Sequence, residues 1–264
     1  MVVSFVNAGL MNLYQAAGVI MGANIGTTIT SQLVAFNLSQ IAPVFLMLGV
    51  IIVMFCKKEK VKKVGEGILG FGVLFMGLSL MSGSMAGLKE SPFIISLLSN
   101  LKNPFLGIFI GFLITAIIQS SSVTVSILLL MAQQGLLPLG ICFYIILGCN
   151  IGACTSALLA SLNGNKDAKR AALIHFLFNV IGTVIMAVML LLGESWVENM
   201  ITTLSGGNIG RSVANAHTLF KVFQVLILLP FSGAIVKMTY LFVPGKDEEA
   251  TDGGFKLEYI GPTN

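Results

Sequence analysis

Apolar residues run through most of the chain in long stretches, and polar residues cluster between them. A helix needs about 20 mainly apolar residues to cross the roughly 30 Å hydrocarbon core of a bilayer. Segments that approach or exceed this length lie at 12–35, 39–56, 64–84, 138–161, 171–192 and 211–243, the last with a break expected near Pro230. The pattern predicts an all-α polytopic membrane protein with about six full transmembrane helices.

A further apolar segment, 104–134, is interrupted in its middle by Gln119, Ser120, Ser121 and Ser122. Polar residues at this depth favour a hairpin that enters the membrane and turns back. Non-helical backbone survives there only where protein or water lines it. We therefore expect a re-entrant Gln-Ser-Ser-Ser hairpin.

One signature occurs twice, because Gly22–Gly26 and Gly148–Gly152 both read Gly-x-Asn-Ile-Gly and lie 126 residues apart. At this offset, residues 1–37 are identical to residues 127–163 at ten positions. Internal symmetry in an apolar chain indicates a transporter built from repeats, with its site at their interface. The paired glycines of each signature also predict faces that allow close helix approach. A counterpart of the Gln-Ser-Ser-Ser run would fall about seven residues before Met1, so we expect the natural sequence to extend upstream.

Composition excludes an ordinary soluble domain. Only 10% of the residues are charged and 56% are apolar, whereas a soluble domain has about 25% charged residues. The mean hydropathy is +0.94. We expect a multi-pass protein of the cell inner membrane or plasma membrane, surrounded by the lipid bilayer and without a nucleic-acid partner.

Loop charges predict that the two repeats have opposite orientations. The loop at 36–40 is uncharged, while its counterpart at 163–170 contains three basic residues. The next loops reverse this, because 57–63 contains five lysines and 194–198 contains two glutamates. Short cytoplasmic loops are enriched in Lys and Arg. The basic loops, and the tail from 246 onward, are therefore expected inside the cell, and the repeats are expected to be inverted.

The expected organisation has five parts. They are an incomplete repeat 1 (1–56), a basic cytoplasmic loop with a transmembrane helix and an external segment (57–103), repeat 2 with the re-entrant hairpin (104–192), an external loop with the C-terminal transmembrane segment (193–243), and a cytoplasmic linker or tail (244–264).

The Gln-Ser-Ser-Ser run is the main candidate for chemistry. At a helix break, hydroxyl and amide donors stand beside free backbone N–H groups and a positive helix N-terminus, which favours an oxyanion. The same oxygens can replace the hydration shell of a small hard cation. The structural alternative is that the serines only form hydrogen bonds between packed helices.

Neutral oxygen ligands also accompany both signatures. A buried amide needs partners that apolar neighbours cannot supply, so Asn24 and Asn150 are candidate ligands. Thr27 and Thr28 follow the first signature, and Thr155 and Ser156 follow the second.

Three further polar residues lie within apolar segments. His175 and His217 belong to a short repetition at an offset of 42, which favours the packing of two similar helices. Lys221 lies about ten residues into a helix, where its ammonium either extends to the interface or faces an aqueous cavity. In the second case it is a hypothetical counter-charge for phosphate.

The run Gly111–Ser122, both Gly-x-Asn-Ile-Gly segments and Ala216–Phe220 together resemble the type II sodium/phosphate cotransporter family, particularly its bacterial members. The resemblance extends from Met1 to about Phe242. It implies a sodium-coupled symporter that imports inorganic phosphate, with two inverted repeats and a central site. It also implies no enzymatic activity, and no cofactor other than Na+ as the coupling ion.

The resemblance implies a site made of residues from both repeats: Gln119, Ser120, Ser121, Ser122, Asn24, Thr27, Thr28, Asn150, Thr155 and Ser156. Sodium is expected at Gln119, Ser121, Asn24 and Asn150. The chain departs from the family pattern because the first hairpin is absent and Ala153-Cys154 replace Thr27-Thr28 in the second repeat.

Other activities remain open at this stage. Many bacterial relatives continue into a helical domain similar to phosphate-uptake regulators, so a cytoplasmic regulator is a possible partner. The alternatives to phosphate symport are a membrane phosphate sensor without flux and a symporter of another oxyanion. An intramembrane hydrolase is disfavoured, because the acidic residues that would orient a catalytic histidine are missing.

Overall fold

The computed structural model describes residues 1–36, 38–87, 91–92, 96, 98 and 101–245. These residues form helices joined by short turns. The α-helices are α1 (Val2–Asn7), α2 (Leu13–Gly26), α3 (Thr28–Ala35), α4 (Ala42–Phe55), α5 (Glu59–Ala86), α6 (Pro104–Ile118), α7 (Ser121–Gln133), α8 (Leu139–Gly152), α9 (Thr155–Ser161), α10 (Lys166–Leu204), α11 (Ile209–Leu228) and α12 (Ser232–Phe242), with 3-10 turns at Leu38–Ile41 and Leu229–Phe231. The tail expected at 246–264 and parts of the segment 57–103 lie outside the described residues.

Five stretches of the described chain are long and apolar enough to cross a membrane. They are Leu38–Phe55, Glu59–Ser84, Leu139–Ser161, Lys166–Leu204 and Ile209–Phe242. An all-α, multi-pass architecture is thereby confirmed for the described residues, with five candidate spans beside the expected count of about six. The missing segment is 12–35, which divides at Thr27 into α2 and α3. Its polar residues around this division lower its hydropathy below that of a spanning helix.

The last span breaks where the sequence predicts. Pro230 lies in the 3-10 turn Leu229–Phe231 between α11 and α12, because proline supplies no N–H to the helix and its ring crowds the preceding turn. The longest helix, α10, is likewise divided, with non-helical dihedral angles at Gly193 (φ −152°, ψ 36°). The expected end of the span 171–192 falls at this kink.

The Gln-Ser-Ser-Ser run separates two short helices. Gln119 ends α6 in the left-handed region, with φ 59°, and Ser120 is extended. The side chain of Ser120 then caps α7 by accepting a hydrogen bond from the N–H of Val123 at 3.4 Å. With 15 and 13 residues, both helices are shorter than the roughly 20 residues needed to cross. The helix break is thus present, while its re-entrant position in the bilayer stays a prediction.

The local backbone structure repeats after 126 residues, the same offset as in the sequence. The helices α2 and α8 begin and end at equivalent positions, Leu13–Gly26 and Leu139–Gly152. Before each of them, a glycine adopts a positive φ, 70° at Gly9 and 72° at Gly135. The N–H after each glycine bonds a carbonyl oxygen five positions earlier, at 2.9 and 3.0 Å, as in a Schellman helix end. The opposite orientation of the repeats stays a prediction.

The two glycine signatures differ in their packing. A Cβ at Gly148 would overlap the carbonyl oxygen of Ile108 in α6, and one at Gly152 would lie 2.6 Å from the carbonyl oxygen of Phe112. Close approach is therefore confirmed for the second signature. For the first signature close approach stays a prediction, because a Cβ at Gly22 or Gly26 would meet nothing within 4 Å among the described residues. The reason is that α6 covers the second signature, whereas no described helix covers this face of the first.

The C-terminal end of α12 is fastened to the start of α10. The guanidinium of Arg170 is 2% exposed and donates hydrogen bonds to the carbonyl oxygens of Val243 and Gly245. It also pairs with Asp167 at 2.6 Å and lies 4.1 Å from the centre of the Tyr240 ring. A planar group with five donors suits this arrangement. Arg170 thus ties the chain that follows α12 to the helix that contains His175.

Candidate functional site

A cavity of about 400 Å³ lies between elements of both repeats. Its polar lining consists of Asn24, Thr27, Ser121, Ser156, His175 and Lys221. Much of the remaining lining is alanine, whose small side chains leave space beside the polar groups. Four residues expected at the site, from three separate parts of the sequence, therefore meet at one cavity.

The division of the first signature helix places two of these residues. Asn24 is 6% exposed and its Nδ2 donates to the carbonyl oxygen of Ile20 at 2.9 Å, so its amide oxygen is left for another partner. Thr27 stands between α2 and α3, and its hydroxyl forms a 2.8 Å hydrogen bond with the hydroxyl of Ser122. This bond joins the break in the first signature directly to the start of α7.

The four residues of the Gln-Ser-Ser-Ser run have different surroundings. Ser121 lines the cavity at the first turn of α7, while Ser122 bonds Thr27. Ser120 serves as the cap of α7, and Gln119 is exposed and is not part of the cavity lining. The first N–H groups of a helix have no partner within it and give its N-terminus a partial positive charge. Ser121 thus presents a hydroxyl to the cavity beside such an N-terminus.

Of the candidate ligands in and after the second signature, one lines the cavity. Ser156 lines it, whereas Thr155 is half-buried outside it. Asn150 is fully buried, and neither its amide nitrogen nor its amide oxygen has a hydrogen-bond partner. Thr28 of the first repeat is also buried outside the cavity lining, donating to the carbonyl oxygen of Ile25 at 2.8 Å.

One face of α11 is polar and buried throughout. His217, Lys221 and Gln224 are between 0% and 2% exposed, and their spacing of four and three residues places them on one side of the helix. His217 Nδ1 lies 2.6 Å from the hydroxyl of Ser31, and Gln224 donates to the carbonyl oxygen of Phe178 at 3.0 Å. The face therefore connects α3 to α10.

Lys221 occupies the centre of this face. Its Nζ donates to the amide oxygen of Asn24 in α2 and to that of Asn179 in α10, the latter at 3.1 Å. The side chain is 1% exposed and lines the cavity, so it does not extend to the interface. The hypothesis that Lys221 faces a cavity is supported, and the alternative of an interfacial ammonium is wrong.

Two site residues were missed by sequence reasoning. The sequence pattern does not single out Asn179, and it favours helix packing for His175, which in fact lines the cavity. A signal was available for Asn179, because it precedes Lys221 by the same 42 positions that separate the two histidines. Polar residues are costly to bury in apolar helices. Two polar pairs at the same spacing of 42 residues therefore favour one polar site shared by the two helices.

Comparison with known families agrees with these observations. The sequence profile of the family described as Na+/Pi-cotransporter matches residues 1–83 and 91–195. The chain belongs to the Na+/Pi-cotransporter family. Five candidate spans and membership in this transporter family make it a multi-pass protein of the plasma membrane.

The chain is similar to proteins of several kinds. YqeW of Bacillus subtilis, which has no described function, is 28% identical over 248 residues, covering 93% of this chain and 78% of the relative. YjbB of Escherichia coli, provisionally named as an inorganic phosphate export protein, is 23% identical over 98% of this chain and 47% of its own length. Sodium-dependent phosphate transport protein 2A of Rattus norvegicus is 33% identical over 45% of this chain and 20% of its own length.

The chain thus spans about half the length of YjbB and most of YqeW. No solved structure shows significant similarity to it.

Proposed function

We propose that the protein couples the entry of inorganic phosphate to the entry of sodium across the plasma membrane. The observation that carries this proposal is the convergence of Asn24, Thr27, Ser121 and Ser156 on one cavity together with Lys221. Membership in the Na+/Pi-cotransporter family supports phosphate and sodium as the substrates. Another oxyanion of similar shape remains the alternative substrate.

The cavity offers the groups that a phosphate ion needs. Thr27, Ser121 and Ser156 bring hydroxyls to the cavity. The hydroxyl of Ser156 donates to the carbonyl oxygen of Ala153 at 3.3 Å and that of Thr27 bonds Ser122, so each would have to turn to donate to a phosphate oxygen. The N-terminus of α7, at Ser121, and the Lys221 ammonium add positive charge to this cavity. Hydroxyl donors beside a helix N-terminus are a common way to bind an oxyanion.

Sodium is the proposed source of energy, because phosphate carries one or two negative charges near neutral pH. Moving one charge against the membrane potential costs about 2.3 kcal/mol per 100 mV. Neutral oxygens suit a hard monovalent cation. Of the expected ligands Gln119, Ser121, Asn24 and Asn150, Gln119 lies outside the cavity lining and the amide oxygen of Asn24 accepts a hydrogen bond from Lys221, so Ser121 and Asn150 are the ligands we propose. Asn150 has particular support, because a buried amide oxygen without a partner costs about 1–3 kcal/mol, and a cation would offset part of this cost.

The proposed cycle uses the repeats and the hairpin. Two inverted repeats that rock around a fixed central site would expose it to each side in turn. The Thr27–Ser122 hydrogen bond joins the two halves of the site, so it is a contact that such a motion would change. Export is a second candidate direction, because the related YjbB is provisionally named for phosphate export.

The test is a flux measurement with the full chain in liposomes. With an inward sodium gradient, radiolabelled phosphate should accumulate in the vesicles, and replacing sodium by choline should abolish the accumulation. Ser121→Ala should remove the flux, whereas Ser84→Ala is a matched control, since that hydroxyl is exposed and donates to the carbonyl oxygen of Leu80 in its own helix. Accumulation that proceeds equally in choline would contradict sodium coupling. Binding without any flux would indicate the phosphate sensor instead.

A further inference from the structure

Lys221 is a buried cation without an anionic partner. It is 1% exposed within a membrane-spanning stretch, and no ion pair among the described residues includes it. A charge removed from water is costly unless an opposite charge or several hydrogen bonds compensate for it. The position of Lys221 therefore needs an explanation beyond packing.

The ammonium has the surroundings of a bound metal cation. Two neutral amide oxygens, from Asn24 in α2 and Asn179 in α10, accept its hydrogen bonds. Amide oxygens are ligands that a hard monovalent cation also uses, and an ammonium has three N–H donors. Two of these donors are engaged, which leaves one for a ligand in the cavity that Lys221 lines.

Both amides are oriented by their own environment. The Nδ2 of Asn24 donates to the carbonyl oxygen of Ile20 at 2.9 Å, and the Nδ2 of Asn179 donates to that of His175 at 3.1 Å. Each amide nitrogen is therefore held by its own helix, and each amide oxygen points to the same Nζ. The two fixed amide oxygens, one on α2 and one on α10, therefore form a cation site that the Lys221 side chain fills.

We propose that the Lys221 ammonium is a tethered cation that replaces one co-transported sodium ion and binds the oxyanion directly. This inference rests on the proposed function, since it assumes that phosphate enters the cavity. A tethered charge stays with the protein after phosphate leaves, whereas a sodium ion would leave with it. The chain should therefore use one sodium ion fewer per phosphate than a variant in which this position is vacant.

Equilibrium binding of inorganic phosphate to the full chain in lipid nanodiscs tests the inference. Lys221→Ala should weaken binding at low sodium by about ten- to hundredfold, the range expected for losing one charge-assisted hydrogen bond. Sodium should restore binding, and the slope of log affinity against log sodium concentration should rise by about one, because a sodium ion takes the vacated place. Choline at equal ionic strength should not restore binding.

Two control variants and a second test variant complete the experiment. Lys237→Ala removes an exposed lysine of α12 and should change neither the affinity nor the slope. Lys221→Arg keeps the charge and should retain most of the affinity without a change in slope. Asn179→Asp leaves Lys221 in place but pairs it with a carboxylate, so it should weaken phosphate binding about tenfold or more. This variant keeps the inference testable if Lys221→Ala does not fold.

The outcomes separate the inference from the proposed function. If the wild-type chain binds no phosphate and moves none under any gradient, the proposed function is contradicted. If the wild type binds phosphate but Lys221→Ala and Asn179→Asp bind it equally well, the inference is overturned. A loss of affinity in Lys221→Ala that sodium does not reverse also overturns it, because the vacated place would then not be a cation site.

Discussion

Gly148→Ala is the substitution with the most sharply defined steric consequence in this structure. The new Cβ would overlap the carbonyl oxygen of Ile108 and lie 2.7 Å from the backbone nitrogen of Phe112. Both atoms belong to the backbone of α6, so relief requires that one helix moves rather than that a side chain rotates. The equivalent Gly22 has the same sequence context but nothing within 4 Å of its Cβ position.

The expected change in melting temperature follows from the packing around Gly148 and around Gly22. Overpacking of a well-packed site costs about 1–3 kcal/mol, and each kcal/mol lowers the melting temperature by about 2–4 °C for a chain of roughly this size. Gly148→Ala should therefore lower the melting temperature by several degrees. Gly22→Ala should be neutral or slightly stabilising, because alanine favours a helix over glycine by about 1 kcal/mol.

Thermal unfolding of the purified chain in one detergent measures both variants. The difference between the two substitutions is the informative quantity, since the amino acid change and the helix position are the same. Equal melting temperatures for Gly148→Ala and Gly22→Ala would refute the reasoning, because the asymmetry in packing between α2 and α8 would then not exist.

Three other predictions concern separate parts of the chain. Gln119→Gly should raise the melting temperature relative to Gln119→Ala, because a non-glycine residue at φ 59° costs about 1–2 kcal/mol; equal values would contradict this. Arg170→Lys should speed hydrogen–deuterium exchange of the backbone at 240–245, since lysine cannot reproduce the guanidinium's bonds to Val243 and Gly245, and unchanged exchange would refute the anchoring role. Topology can be tested in intact cells with a thiol reagent that does not cross the membrane, applied to single-cysteine variants. The reagent should label Glu198→Cys but not Lys60→Cys, and the reverse pattern would contradict the inverted topology.

Much of the secondary structure followed from the sequence. A bilayer requires every backbone group within it to be paired internally, so apolar length alone predicted most of the spanning helices. Pro230 and the Gln-Ser-Ser-Ser run interrupt helices through local chemistry, and both breaks lie where the sequence indicated. The repeat at 126 residues is also reflected in the matching turns at Gly9 and Gly135, because such turns depend on a glycine and a few neighbours.

Only the tertiary structure decided which polar residues meet. Asn24 and Lys221 are 197 positions apart and bond each other, while Gln119, two positions before Ser121, lies outside the cavity lining. Identical signatures at Gly22 and Gly148 received different neighbours. A sequence pattern fixes which face of a helix is polar or small. Which helix packs against that face depends on contacts between distant segments, and those contacts were not determined by local pattern.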